Sequence, residues 1–276
     1  MTPELVDIGA NLTHESFRHD FDQVLERARR AGVVELVVTG ASAAGSEHAV
    51  ELVAAHRGVL HATAGVHPHH AADYTAETDA LLRALARDGR VVAVGETGLD
   101  YHRDYAPRAA QRFAFERQVE IALETGLPLF LHQREAHDDL VAILKPVRDR
   151  ISRAVVHCFT DERRALHACL DLDLHVGVTG WICDERRGTH LKALVRDIPA
   201  NRLMLETDAP YLLPRTVKPQ PAHRRNEPMY LAHIAAEVAR DRGESLETLA
   251  ASTTATARAF FTLPSRSAAS SHRRPV

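Results

Sequence analysis

Aromatic residues are scarce in this chain. Phe, Trp and Tyr together make up 5% of 276 residues, and Trp181 is the single tryptophan. The core must therefore be packed from Leu, Val, Ile and Ala. Cysteine is nearly missing too. Cys158, Cys169 and Cys183 are odd in number and share no C-x-x-C spacing. That excludes a disulfide framework and a cysteine zinc ribbon, and it fits a reducing compartment. No apolar run approaches the roughly 18 residues that a membrane-spanning helix needs. No basic-then-apolar leader opens the sequence. The expected location is the cytoplasm, with no membrane partner. Large net charge is also lacking: the formal value is -3, which argues against a broadly basic nucleic-acid surface but leaves room for a small basic cleft. Glycine-rich phosphate loops of the GxGxxG or GxxxxGKS kind do not occur.

What the chain has in excess is histidine, with 18 residues. Histidine is the commonest metal ligand and a frequent acid or base, although His48, His56 and His167 sit in stretches that read as solvated helix. The length suits a single α/β barrel. Apolar runs of strand length occur at Leu5–Ile8, Val33–Thr39, Leu60–Val66, Val91–Val94, Pro128–Leu131, Ala154–Val156, Leu174–Val178 and Leu203–Leu205. Amphipathic stretches lie between them. Phe17, Phe21, Val24, Leu25 and Ala28 share one helical face, as do Phe115, Val119 and Ala122, and Leu231, Ile234, Ala235 and Val238. Gly32 and Gly126 suit helix ends, and Asp161 suits a helix start. The expected fold is a single α/β domain, a (β/α)8 TIM-type barrel over residues 1–264, with an open doubly wound sheet as the alternative. The polar, basic tail Ser265–Val276 is expected to be disordered.

In such a barrel, active-site groups come from the C-terminal ends of the strands. Here those ends are rich in ligating side chains. The third run finishes GVHPHH, with His67, His69 and His70. The fourth finishes VGETGLD, with Glu96 and Asp100. The fifth reaches His132, the sixth His157, and the eighth finishes LETDAP, with Glu206 and Asp208. Singly, each has an ordinary reading as a backbone hydrogen bond or a helix cap. Together they would converge at one mouth, where burying them without a partner is costly. A divalent cation is the natural partner, and a glutamate, two histidines and a nearby aspartate are a workable set. Three ligands leave positions open for water and substrate, which points to a hydrolase. The loops after strands seven and eight carry Trp181, Arg186, Arg187, Arg224 and Arg225. These could form a cationic rim for phosphate oxygens, with tryptophan stacking on a base. Arginines paired with local carboxylates are the ordinary alternative.

The motifs GVHPH, VGETGLDYHRD, LHQREAHDD, VHCFT, GWICDERRG, ETDAPYLLP and RRNEP, in this order from Asp7 to about Phe261, resemble the TatD family of metal-dependent deoxyribonucleases. The resemblance implies an amidohydrolase-like barrel and removal of nucleotides from a single-stranded 3′ end of DNA, with RNA as a further substrate and a role in DNA repair or degradation. It implies Glu96, His132 and His157 as metal ligands. Asp208 would be a further ligand or the general base, and His67 a phosphate contact or acid. Magnesium is the ion expected in use, with manganese or zinc as alternatives, and the chain is expected to be a monomer. Asn11, His69, Trp181, Arg186, Arg187, Arg224 and Arg225 are the expected substrate contacts. The departure lies in the first strand. Many relatives place His-x-His where this chain has Gly9 and Asn11, and Thr13 replaces a later aspartate. One tight metal site is therefore expected, with the second weak or absent. Replacing Gly9 and Asn11 with histidine is expected to raise the metal stoichiometry. A metal hydrolase of another ester or amide and a non-catalytic nucleic-acid-binding barrel are the competing readings.

Overall fold

Eight parallel strands alternate with helices in the computed structural model, which describes residues 2–263. The strands are β1 (Leu5–Ala10), β2 (Val33–Val38), β3 (Leu60–Ala64), β4 (Val91–Asp100), β5 (Leu129–Arg134), β6 (Ala154–Val156), β7 (His175–Val178) and β8 (Leu203–Leu205). Their order in the sheet follows the chain, β1 to β8. The order of an open doubly wound sheet would reverse at a switch point, so the barrel expectation holds. The β1/β8 seam closes through two backbone bonds: Asp208 N–H donates to Gly9 O at 2.8 Å and Asn11 N–H to Ala209 O at 2.7 Å. The expected tail, Ser265–Val276, lies outside the described residues.

The helices that wrap the strands are α1 (Phe21–Arg30), α2 (Ala43–Ala55), α3 (Ala76–Leu85), α4 (Arg108–Thr125), α5 (His137–Leu144), α6 (Arg163–Asp171), α7 (Thr189–Leu194), α8 (Leu231–Arg242) and α9 (Leu246–Phe261). Their starts follow local chemistry. The Ser42 and Ser245 hydroxyls accept from Gly45 N–H and Thr248 N–H, each at 3.1 Å, and cap α2 and α9. Gly126 ends α4 at φ 72°, a conformation that glycine adopts without strain. Asp161 sits two residues ahead of α6 and accepts from the Gln133 amide at 2.8 Å instead of capping the helix.

The strands are apolar on both faces because both are buried, as parallel sheets require. Val6 and Ile8 of β1, Phe130 of β5 and Met204 of β8 fill the barrel, whereas Leu5, Ala10, Leu129 and Leu205 pack outward against helices. Sequence periodicity did not reveal α9. Its C-terminal Phe260 and Phe261, with Leu263, join the interior cluster. Thr254 Oγ1 donates to Glu4 O, and Arg258 binds Glu35 of β2 at 2.7 Å, so α9 closes the end of the barrel opposite the strand C-termini.

One strand is longer than its apolar run. The run ends at Val94, but β4 continues to Asp100, pairing Thr97 with Leu131 and Asp100 with Arg134 after a break in register. Such a bulge re-aims a side chain, and Glu96 sits within it. Gly95 makes the bulge possible: at φ 147°, a Cβ there would lie 2.3 Å from Phe130 O.

Candidate active site

The expected ligands come together. At the C-terminal end of the barrel, three imidazoles converge on one oxygen, Glu96 Oε1. His157 Nε2 lies 2.7 Å away, His132 Nδ1 3.0 Å and His67 Nε2 3.3 Å. Glu96 is buried by the bulge that turns it inward. Burial opposes its ionisation. The His157 and His67 charges, with hydrogen bonds from His132 and His157, outweigh that and hold its carboxyl well below the usual range. For His157, burial is likewise the largest influence and disfavours the charged ring, yet Glu96 and Glu206 together hold it well above the ordinary histidine value. His67 goes the other way: burial and the neighbouring imidazoles hold it well below, against the pull of Glu96.

Behind this first ring lie two further carboxylates. Glu206, fully buried, places Oε2 3.3 Å from His157 Nδ1, and its Oε1 accepts the Cys158 N–H at 2.5 Å. Asp100, also buried, places Oδ2 2.7 Å from His69 Nε2 and 3.4 Å from His132 Nε2. Its Oδ1 accepts the His102 and Arg103 N–H groups at 3.0 and 2.8 Å. Asp208 stands at φ 54° after β8 and accepts from the Asn11 amide at 2.8 Å. Burial pushes its carboxyl up to about 7. The Glu96 and Glu206 charges add to that, and His157 and the Asn11 hydrogen bond oppose it.

A divalent cation fits this donor set. His132 Nε2 is buried and has no hydrogen-bond partner among the described residues. Three nitrogens crowd one carboxylate oxygen, and a ring-nitrogen–carboxylate cluster of this kind matches borderline divalent ions. Among the described residues, His67, Glu96 and His132 form a group whose ligand atoms all lie within 4.8 Å of one another.

An open cavity of about 530 Å³ lies in front. Asn11, His67, His69, Asp208, Trp181 and Arg187 line it, with all of the residues around Glu96 Oε1. The Arg187 guanidinium lies 4.7 Å over the Trp181 ring. A second cleft of about 320 Å³ begins on the other side of Trp181 and carries Arg186, Arg187, Arg215 and Arg224 against one carboxylate, Asp184. Arg225 is elsewhere. It binds Asp20 and Glu227 at 2.7 Å, donates to Ser16 O at 2.5 Å and stacks on Phe17, so it joins the loop before α8 to the start of α1 rather than lining either cleft. Pairing with carboxylates, the ordinary alternative for an arginine of the rim, is tight at Arg225, through nearby Glu227 and distant Asp20, and looser at Arg186 and Arg187, which lie 3.6 Å from the local Asp184.

The first strand reaches the site, but unevenly. Asn11 lines the cavity. At Gly9, a Cβ would lie 2.4 Å from Glu206 Oε2 and 3.0 Å from the Phe130 ring. Histidine at position 9 would have to displace Glu206. The expected gain of metal on the double replacement therefore requires the Glu206 carboxylate to move at position 9, whereas position 11 lines the cavity directly.

Several cavity residues carry no marker in the sequence. Tyr105 is 65% exposed and lies 4.7 Å from the His69 ring, and Tyr211, 51% exposed, faces the cavity from the other side. In a chain this poor in aromatics, two exposed tyrosines at one mouth are the available signal. It becomes visible only when exposure is known.

Residues 6–262 match the family model described as TatD related DNase. The chain is 50% identical over 259 residues to the 3′-5′ ssDNA/RNA exonuclease TatD of Erwinia amylovora, covering 94% of this chain and all of that protein. It is 51% identical to the protein of the same name from a Pantoea species, with the same coverage. Among solved structures, the TatD homolog YJJV from Escherichia coli superposes with a TM-score of 0.87 at 27% identity, covering 96% of this chain and all of that one.

Proposed function

Because the chain belongs to the TatD-related DNase family, we propose that it is a metal-dependent 3′-5′ exonuclease of single-stranded DNA, with RNA as a further substrate, serving DNA repair or degradation. The observation that carries this is the convergence of His67, His132 and His157 on Glu96 Oε1 beside an open cavity whose wall bears Trp181 and Arg187. Glu96, His132 and His157 would hold the ion, with Asp208 beside them. When bound, a divalent ion polarises a phosphate oxygen and makes water more acidic. Magnesium is the ion in use on this reading, with manganese and zinc as substitutes. A single tight site fits a first strand that offers only the neutral Asn11 oxygen.

The chain's own groups supply the rest. Asp208, with a carboxyl near neutrality, takes the proton of the attacking water. His67, held neutral by burial and its neighbouring imidazoles, contacts the scissile phosphate. Trp181 offers a face for a base, and Arg187 and Arg186 follow the backbone into the second cleft. His69 and Tyr105 form a second aromatic wall. Arg224 extends the cleft. The protein acts as a cytoplasmic monomer on this reading.

The test uses single-stranded DNA labelled at its 5′ end, with magnesium, manganese, zinc or excess chelator. A ladder shortening from the 3′ end with metal, absent with chelator and absent for Glu96→Ala, is the expected result. Binding without cleavage under every metal condition would overturn it, and cleavage of lactones or simple phosphoesters alone would point to a different hydrolase.

A further inference from the structure

We propose that Asn226 is a positioning residue for the reaction: it fixes the turn that carries Asp208 and so keeps that carboxylate at the cavity. The proposal deepens the nuclease reading and rests on Asp208 acting as the base in it.

Asp208 needs a hold from outside its own residue. It stands at φ 54°, where a side chain other than glycine is strained. Strain of that kind persists only where the surroundings over-determine the backbone. The first strand supplies part of the hold. Gly9 O accepts the Asp208 N–H, Asn11 N–H donates to Ala209 O, and the Asp7 carboxylate accepts the Thr207 N–H at 2.9 Å. Of the carbonyls from Thr207 to Tyr211, these bonds reach Ala209 O alone. Tyr211 N–H closes the turn on Asp208 O at 3.0 Å. The other three all go to Asn226. Its side-chain nitrogen donates to Thr207 O at 2.9 Å and to Tyr211 O at 2.7 Å, one on each side of Asp208. Its backbone N–H donates to Pro210 O at 3.0 Å.

The chemistry calls for an amide at this position. Asn226 is fully buried, both of its side-chain N–H groups are used, and its Oδ1 accepts the Glu227 N–H at 2.9 Å. A carboxylate of the same shape would turn lone pairs towards two carbonyl oxygens. The neighbours on either side anchor the residue. Arg225 pairs with Asp20 and Glu227 with Arg27 of α1, each at 2.7 Å. The outer two residues thus tie the segment to the start of α1, while the middle one reaches inward to the turn. Arg225 and Glu227 stabilise the clasp, and Asn226 is the part of it that touches the loop bearing the base. Asn226 itself does not line the cavity, so its effect on the reaction passes through Asp208.

A double-mutant cycle tests this, read as single-turnover cleavage of 5′-labelled single-stranded DNA with saturating metal. Asn226→Ala should lower kcat by about 100-fold, the cost of misplacing a reacting group by about 1 Å, with a much smaller change in KM. In the Asp208→Asn background the same replacement should have no further effect on the residual rate. Wild-type kcat in folded Asn226→Ala would overturn the proposal. So would an equal loss with and without the Asp208 carboxylate, since a general loosening of the barrel gives that result. Amide hydrogen exchange of the wild-type chain without substrate is the second measurement. The Asp208 and Tyr211 N–H groups should exchange as slowly as those of β8. Fast exchange there would overturn the proposal even if the variant does not fold. Absence of any metal-dependent cleavage by the wild type would instead sink the nuclease reading.

Discussion

Two carboxyl groups at the β1/β8 seam are expected to set the pH behaviour. Burial pushes Asp208 up to about 7. As a base it works only when ionised, so kcat/KM should rise with pH as Asp208 ionises and then level off, with the midpoint drawn below about 7 by the divalent ion beside it, and Asp208→Asn should remove the rise along with most of the activity. Pre-steady-state rates across pH 5 to 9 check this. Asp7, buried in β1, is likewise pushed up to about 7 by burial, against hydrogen bonds from the Thr207 hydroxyl, Thr207 N–H and Gly9 N–H. Its folded value lies above its unfolded one, so the folded state binds the extra proton between about pH 4 and 7. Its contribution to stability is present below about 4 and is lost as pH rises to about 7. Asp7→Asn, whose amide can still meet Thr207, should flatten the fall of melting temperature over that window in the metal-free protein. An unchanged slope would remove Asp7 as its source.

At the scale of elements, α9 is the part whose role is least obvious from its composition. Its threonines return hydrogen bonds to the helix backbone, as Thr253 does to Leu249 O at 2.8 Å, and its last turn carries the aromatic plug. Phe260 is fully buried and meets His175 at 4.8 Å. Phe260→Ala should cost about 3–5 kcal/mol, read as a lower urea midpoint with unchanged slope. Manganese binding at the other end of the barrel should be retained while the chain is folded. Loss of metal before unfolding would show that the plug also shapes the mouth. The opposite end is set by bulges. The register of β1 breaks near its C-terminal end, beside Gly9, and that of β4 breaks mid-strand, at Gly95, and those breaks carry the chain past Glu206 and Phe130.

Across the whole molecule, net charge and site charge have opposite signs. A chain at -3 cannot draw nucleic acid by its overall field. Attraction must come from the local arginines of the second cleft, where Arg186 and Arg187 are only loosely paired to Asp184 at 3.6 Å. The triple variant Arg186→Ala, Arg187→Ala, Arg224→Ala should weaken single-strand binding and reduce the slope of log K against log salt by about 2, at about 0.7 per lost phosphate contact. Titrations between low and moderate salt would show it. Adding Arg225→Ala should instead lower stability, since that residue ties Asp20 to Glu227. A salt slope unchanged in the triple variant would move the strand out of this cleft.

By itself the sequence determined the barrel. Eight apolar runs in order, each ending in polar chemistry, leave few ways to bury both faces of every strand, and Glu96, His132, His157 and Asp208, the proposed ligand set, follow their apolar runs toward the end where a barrel gathers its active groups. Tertiary structure decided what depends on neighbours distant in the chain. Arg187 and Arg225 look alike as sequence, yet one stacks on Trp181 and the other is consumed by Asp20, more than two hundred positions away. β4 outran its apolar run because ETGLD gains a ladder with β5 that no local pattern announces. The polar look of α9 hid a helix whose burial comes from the strands it plugs. The missing imidazole at Gly9 was legible as an absence. What occupies that space, the Glu206 carboxylate just beyond β8, needed the seam between the first and last strands to close.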